Sequence, residues 1–160
     1  MSDTAASSDT ADFASSKDRA LRLLTNRDHS EYEIVTKLMQ TTDEKTAHDV
    51  ADRLKQVGLI DDERFARAYA VELISRKYLN KNAAAAKLRQ RGIGDDIAGK
   101  VLSEIDIEPV SRIIDILTSK FAHRDLTDEK QYRQTVNALM RMGWSYGDIK
   151  KALERMQNDV

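Results

Sequence analysis

The chain has 160 residues, enough for one compact domain or a few small units sharing a core, and with 33% charged and 41% hydrophobic residues its composition is that of a soluble globular protein. A net charge of −1 gives the whole chain no long-range attraction for nucleic acid or membrane, so any recognition by charge must be local. The absence of cysteine excludes disulfides, thiolate-zinc sites and cysteine nucleophiles.

Residues 1–16 are mostly Ser, Thr, Ala and Asp with a single Phe, and are expected to form a disordered, mildly acidic tail. They lack the basic start and apolar core of a signal peptide, and no apolar run approaches the roughly 18 residues of a membrane span. A cytoplasmic protein that does not engage membranes is expected. The fold is expected to begin near Lys17, and from there the apolar spacing is helical. Leu21 and Leu24 start it, Ile34, Val35, Leu38 and Met39 give one stripe, and Ala47, Val50, Ala51, Leu54 and Val57 a second. Phe65, Tyr69 and Leu73 lie four apart. Val110, Ile113, Ile114, Leu117 and Phe121 keep the same period, as do Tyr132, Val136, Leu139 and Met140.

The punctuation agrees. Ser30 with Glu33 reads as a capping box, Ser145 with Asp148 as a shorter version, and Pro109 suits a first helical turn. Gly58, Gly92 and Gly143 each sit just past an apolar stripe, where a left-handed residue closes a helix. Nine helices are expected, and they repeat. KLMQ at 37–40 returns as KLRQ at 87–90, while Leu88, Gly92, Ile93 and Leu102 map onto Leu139, Gly143, Trp144 and Leu153. The expected architecture is all-α: three tandem three-helix repeats over 17–60, 61–106 and 108–157, forming an elongated, curved array. A single globular bundle of nine helices is the alternative.

Catalytic chemistry finds little support. Asp61, Asp62 and Glu63 follow the turn Gly58-Leu59-Ile60 and precede an apolar stripe, so Asp61 or Asp62 is placed to cap a helix and Glu63 to lie in its first turn. A metal site would need further converging ligands, and Asp95-Asp96 likewise follows a glycine and opens a stripe. His29, His48 and His123 are scattered, with no zinc-binding spacing. There is no phosphate-binding Gly-rich loop and no Gly-x-Ser-x-Gly. No catalytic residue, metal or cofactor is expected.

One local anomaly remains. Between Glu72 and Asp95 there are no acids, while Arg76, Lys77, Lys81, Lys87, Arg89 and Arg91 give the segment a charge of +6, with Tyr78 among them. It reads either as a solvated face with snorkelling side chains or as a footprint for a phosphate backbone or an acidic protein groove. Ala83–Ala86 makes the helix there thin, which fits close packing against a neighbouring helix better than an exposed face for a partner. Trp144 fits a core position better than a binding anchor. Tyr78 fits either a base-stacking position or a half-buried helix end.

ALRLLTNRDHSEYEIVTKL at 20–38, GLIDDERFARAYA at 58–70 and SRKYLNKNAAAAKLRQRGI at 75–93 resemble segments of the RecX regulators of bacterial RecA recombinase; MGWSYGDIKKALE at 142–154 does so more loosely. The resemblance implies an all-helical protein of curved three-helix repeats, acting by binding and not by chemistry; a monomer is expected. It would lie in the helical groove of the RecA–DNA filament and restrain strand exchange, ATPase and co-protease activity in DNA repair, recombination and the SOS response. It also makes Arg76, Lys77, Lys81, Lys87, Arg89 and Arg91 the candidates for contact with the filament or with single- or double-stranded DNA. The family often has Gly-Tyr-Gly-Pro where this chain has Lys77-Tyr78-Leu79-Asn80, so Asn80 is expected to start the following helix. The competing function is a direct DNA-binding module of helix-turn-helix type.

Overall fold

The computed structural model describes residues 3–159, and every regular element among them is helical. In chain order these are α1 (Asp3–Asn26), α2 (Glu31–Leu38), α3 (Glu44–Gln56), α4 (Asp62–Ser75), α5 (Lys81–Gln90), α6 (Asp95–Ser103), α7 (Pro109–Ser119), α8 (Glu129–Arg141) and α9 (Tyr146–Asn158). The helix count and the all-α class match the spacing of the apolar residues.

The chain divides into two compact units, one of Met1–Tyr69 with Leu88–Val101 and one of Ala70–Lys87 with Leu102–Val160. In the first, α1, α2 and α3 pack mutually around Ala20, Ile34, Leu38, Ala47, Val50 and Leu54. In the second, α9 packs on α7 and α8 around Ile113, Ile116, Leu139, Trp144, Ile149 and Ala152. Trp144 is a core residue, and its indole N–H donates to the Tyr78 carbonyl at 2.9 Å.

The tail expected to be disordered over 1–16 is helical from residue 3 onward, and residues 1 and 2 lie outside the described residues. Phe13 packs against the first core while the Thr42 hydroxyl donates to the Asp12 carboxylate. Ser16 is buried. Once the apolar stripe from Ala20 nucleates the helix, extending it towards the N-terminus costs little per residue, and one aromatic with one polar contact holds it. Arg19, on the same helix, closes the end of α2 by donating to the Lys37 carbonyl at 2.6 Å and to the Thr41 hydroxyl at 2.9 Å.

Three helices end alike. The Leu54 carbonyl accepts from the Leu59 amide at 2.9 Å, Leu88 from Ile93 at 3.1 Å and Leu139 from Trp144 at 3.2 Å. The glycine of each turn is left-handed, with φ of 78° at Gly58, 78° at Gly92 and 96° at Gly143. Gly92 and Gly143 have a second reason to lack a side chain. A Cβ at Gly92 would collide with Tyr32, and one at Gly143 with Asn80 and Ala83. Hydrogen bonds stitch the same places: Ser30 Oγ donates to the Arg91 carbonyl at 2.6 Å, and the Asn80 amide to the Met142 carbonyl at 3.0 Å. Within each unit, then, the start of a helix rests on a glycine turn.

Candidate functional site

The three adjacent acids do three different things. Asp61 caps α4, accepting from the Arg64 amide at 3.0 Å. Asp62 turns away and accepts from the amide of Glu31, the first residue of α2, at 2.8 Å; burial pushes its carboxyl above the usual aspartate range. Glu63 pairs with Arg67 at 2.9 Å and Lys100 at 2.8 Å. Among the described residues no group of three or more acids or histidines is arranged to hold a metal ion. His29 is buried against the Arg27 carbonyl, and burial holds its imidazole below the ordinary value.

The six cations of the basic segment do not share one environment. Arg91 is structural: its guanidinium donates to Glu33 at 2.9 Å and lies 5.2 Å from the centre of the Tyr69 ring. Glu33 is only 8% exposed and also holds Arg27 at 2.6 Å. Burial alone would raise the Glu33 carboxyl. The Arg27 hydrogen bond, the Ser30 amide and the charges of Arg27 and Arg91 outweigh it and keep the carboxyl below its usual range. Arg89 is exposed but engaged with Asp95 at 3.0 Å. Both belong to the first unit.

Arg76, Lys77, Lys81 and Lys87 belong to the second unit and make no ion pair among the described residues. Arg76, Lys77 and Lys87 are exposed, and Lys81 is half-buried. Lys81 is the first residue of α5, whose first turn holds no acid. A cation there opposes the helix dipole, so local helix stability does not explain it. Asn80 caps this helix, accepting from the Ala83 amide at 2.8 Å, as expected for the residue standing where the family often has proline. Ala83 lies where a larger side chain could not approach the Gly143 turn.

Sequence spacing missed a second group of cations in this unit. Tyr78, left-handed at φ 62°, is half-buried, with the Arg112 guanidinium 5.6 Å and the Lys120 ammonium 5.3 Å from its ring centre. Arg124 sits 5.1 Å from the centre of the Phe121 ring. These contacts are worth about 0.5–1 kcal/mol each at exposed sites and compete with any base stacking on Tyr78. Arg112, Lys120 and Arg124 make no ion pair among the described residues either. They are 34 or more positions away from Tyr78 in sequence, beyond the reach of any helical period.

The fold and this surface define the class first: an all-helical protein of small helical domains, bearing cations that the fold does not neutralise. The chain belongs to the RecX family. The family's first three-helix domain matches residues 17–56 and its second matches residues 61–102. Over 140 residues the chain is 31% identical to Regulatory protein RecX of Chlorobium phaeobacteroides (strain BS1), covering 87% of this chain and 91% of that one. It is 34% identical over 132 residues to Regulatory protein RecX of Mycobacterium sp. (strain KMS), covering 78% and 72%. The crystal structure of RecX from Lactobacillus salivarius superposes with a TM-score of 0.72 over 92% of this chain and 98% of that chain; at 20% identity this likeness concerns the fold. The chain is thus a member of a family of regulatory proteins. Among the described residues no helix is long and apolar enough to cross a membrane.

Proposed function

We propose that this protein regulates the RecA recombinase, mainly as an inhibitor, by binding in the helical groove of the RecA–DNA filament in the cytoplasm. It restrains strand exchange, ATP hydrolysis and co-protease activity, and so tempers DNA repair, recombination and the SOS response. It acts as a monomer and by occupancy alone, with no cofactor. Membership of the RecX family supports the partner. The observation that supports the site is that Arg76, Lys77, Lys81 and Lys87 in the second unit make no ion pair among the described residues. Ion-paired Arg89 and Arg91 are demoted from contact residues to positioning ones.

The test is DNA-dependent ATP hydrolysis by RecA. Wild-type protein at or below stoichiometric amounts is expected to slow it; unchanged hydrolysis with no co-sedimentation on filaments overturns the proposal. The unpaired cations also favour a second reading, direct binding to DNA without RecA. Four phosphate contacts on a single strand would weaken binding about 50-fold between 50 and 200 mM salt. A flat salt response counts against that reading.

A further inference from the structure

Opposite in character to the cationic surface is a groove of about 390 Å³ in the first unit, between the start of α2 and α3. Its apolar side chains include Tyr32 and Met39, which are 55% and 46% exposed although both are large. Met39 belongs to a stripe that sequence spacing places in the core, so its exposure departs from that reading. Glu31, Glu44 and Asp62 line the groove, and no lysine or arginine does. Lys55 pairs with Glu31 at 3.1 Å and His48 approaches Glu44 at 3.8 Å, which leaves the balance negative.

The fold does not require these two apolar side chains. Counting from Leu38, Leu88 and Leu139, the position of Tyr32 is filled by Asn82 and Arg133, and that of Met39 by Arg89 and Met140. Tyr32 is nevertheless seated firmly. Its backbone lies within the capping box of Ser30 and Glu33, and its Cβ lies over Gly92, where no side chain could be added. Its hydroxyl has no partner among the described residues. A fixed, exposed tyrosine beside an adaptable methionine is what interface anchors are made of.

From this geometry we infer that the Tyr32–Met39 groove docks a protein segment carrying an apolar side chain flanked by Lys or Arg. Resting on the proposed function, the inference places that segment on RecA itself. The carboxylates repel a phosphate backbone, so nucleic acid is not the occupant. The two units thereby divide the work: the groove takes protein and the unpaired cations take phosphate or acidic groups.

The experiment compares wild type with the double variant Tyr32→Ser/Met39→Ser. The readouts are co-sedimentation with RecA filaments on single-stranded DNA, binding to bare single-stranded DNA, and thermal unfolding. A companion protein carries benzoylphenylalanine in place of exposed Thr36 for photocrosslinking. The expected result is a filament affinity reduced tenfold or more, with DNA binding and melting nearly unchanged, and a crosslink to the RecA polypeptide. If wild type slows RecA while the double variant matches it, this inference fails and the proposed function stands. A crosslink to DNA, or to a second copy of this chain, overturns the inference too. If wild type neither binds filaments nor slows hydrolysis, both fall together.

Discussion

Glu33 is the residue on which the first unit's polar interior turns. Its carboxylate receives Arg27, Arg91 and the Ser30 amide, tying the start of α2 to the end of α5. Glu33→Gln leaves two guanidinium groups without their counter-charge and is expected to lower unfolding free energy by about 3 kcal/mol at pH 7. The pH dependence has a definite sign. Because the folded carboxyl lies below its ordinary value, its contribution is fully present above about pH 4.3 and is lost as pH falls through the lower folded value. Urea unfolding at several pH values should therefore show wild type and variant converging in acid. A difference that persists unchanged below the carboxylate range contradicts this role. Asp62, raised by burial, has the opposite slope and favours folding more when protonated.

At the scale of the elements, the glycine turns separate backbone strain from crowding. Nothing lies within 4 Å of a Cβ placed on Gly58, so Gly58→Ala should cost only the left-handed backbone, about 1 kcal/mol. Gly92→Ala carries the same strain plus a collision with Tyr32, an additional cost of about 1–3 kcal/mol. Denaturant titration of the two variants checks the order, and equal losses would contradict it. These turns were legible in the sequence because a helix cap is local: an apolar stripe, a Gly four positions past a Leu and a Ser-x-x-Glu suffice. The helix starts at Ser30, Glu108–Pro109 and Ser145 follow for the same reason. Tertiary partners were not legible. Phe13 and Asp12 extend α1 by touching the first core and Thr42, and Asp62 leaves its own helix to reach an amide 31 residues away. The charge run from Arg76 to Arg91 was visible, but its division into paired and unpaired cations depends on Glu33 and Asp95, which no helical period connects to it.

For the whole molecule, a net charge of −1 conceals an uneven distribution. Counting Lys and Arg against Asp and Glu over Met1–Tyr69 with Leu88–Val101 gives 13 − 16 = −3, and over Ala70–Lys87 with Leu102–Val160 gives 13 − 11 = +2. In the first unit Arg27, Arg64, Arg67, Arg89 and Arg91 pair with its own carboxylates, whereas in the second Lys81 and Lys87 make no ion pair among the described residues. On the proposed function, the effect on RecA should follow the unpaired cations and not the charge of the segment as a whole. The most direct measurement is the rate at which RecA filaments disassemble on single-stranded DNA. It compares wild type with Lys81→Glu/Lys87→Glu and with Arg89→Glu. Wild type is expected to change this rate relative to RecA alone, the double variant to lose most of that effect, and Arg89→Glu to keep most of it. Equal rates with wild type and the double variant would contradict this expectation.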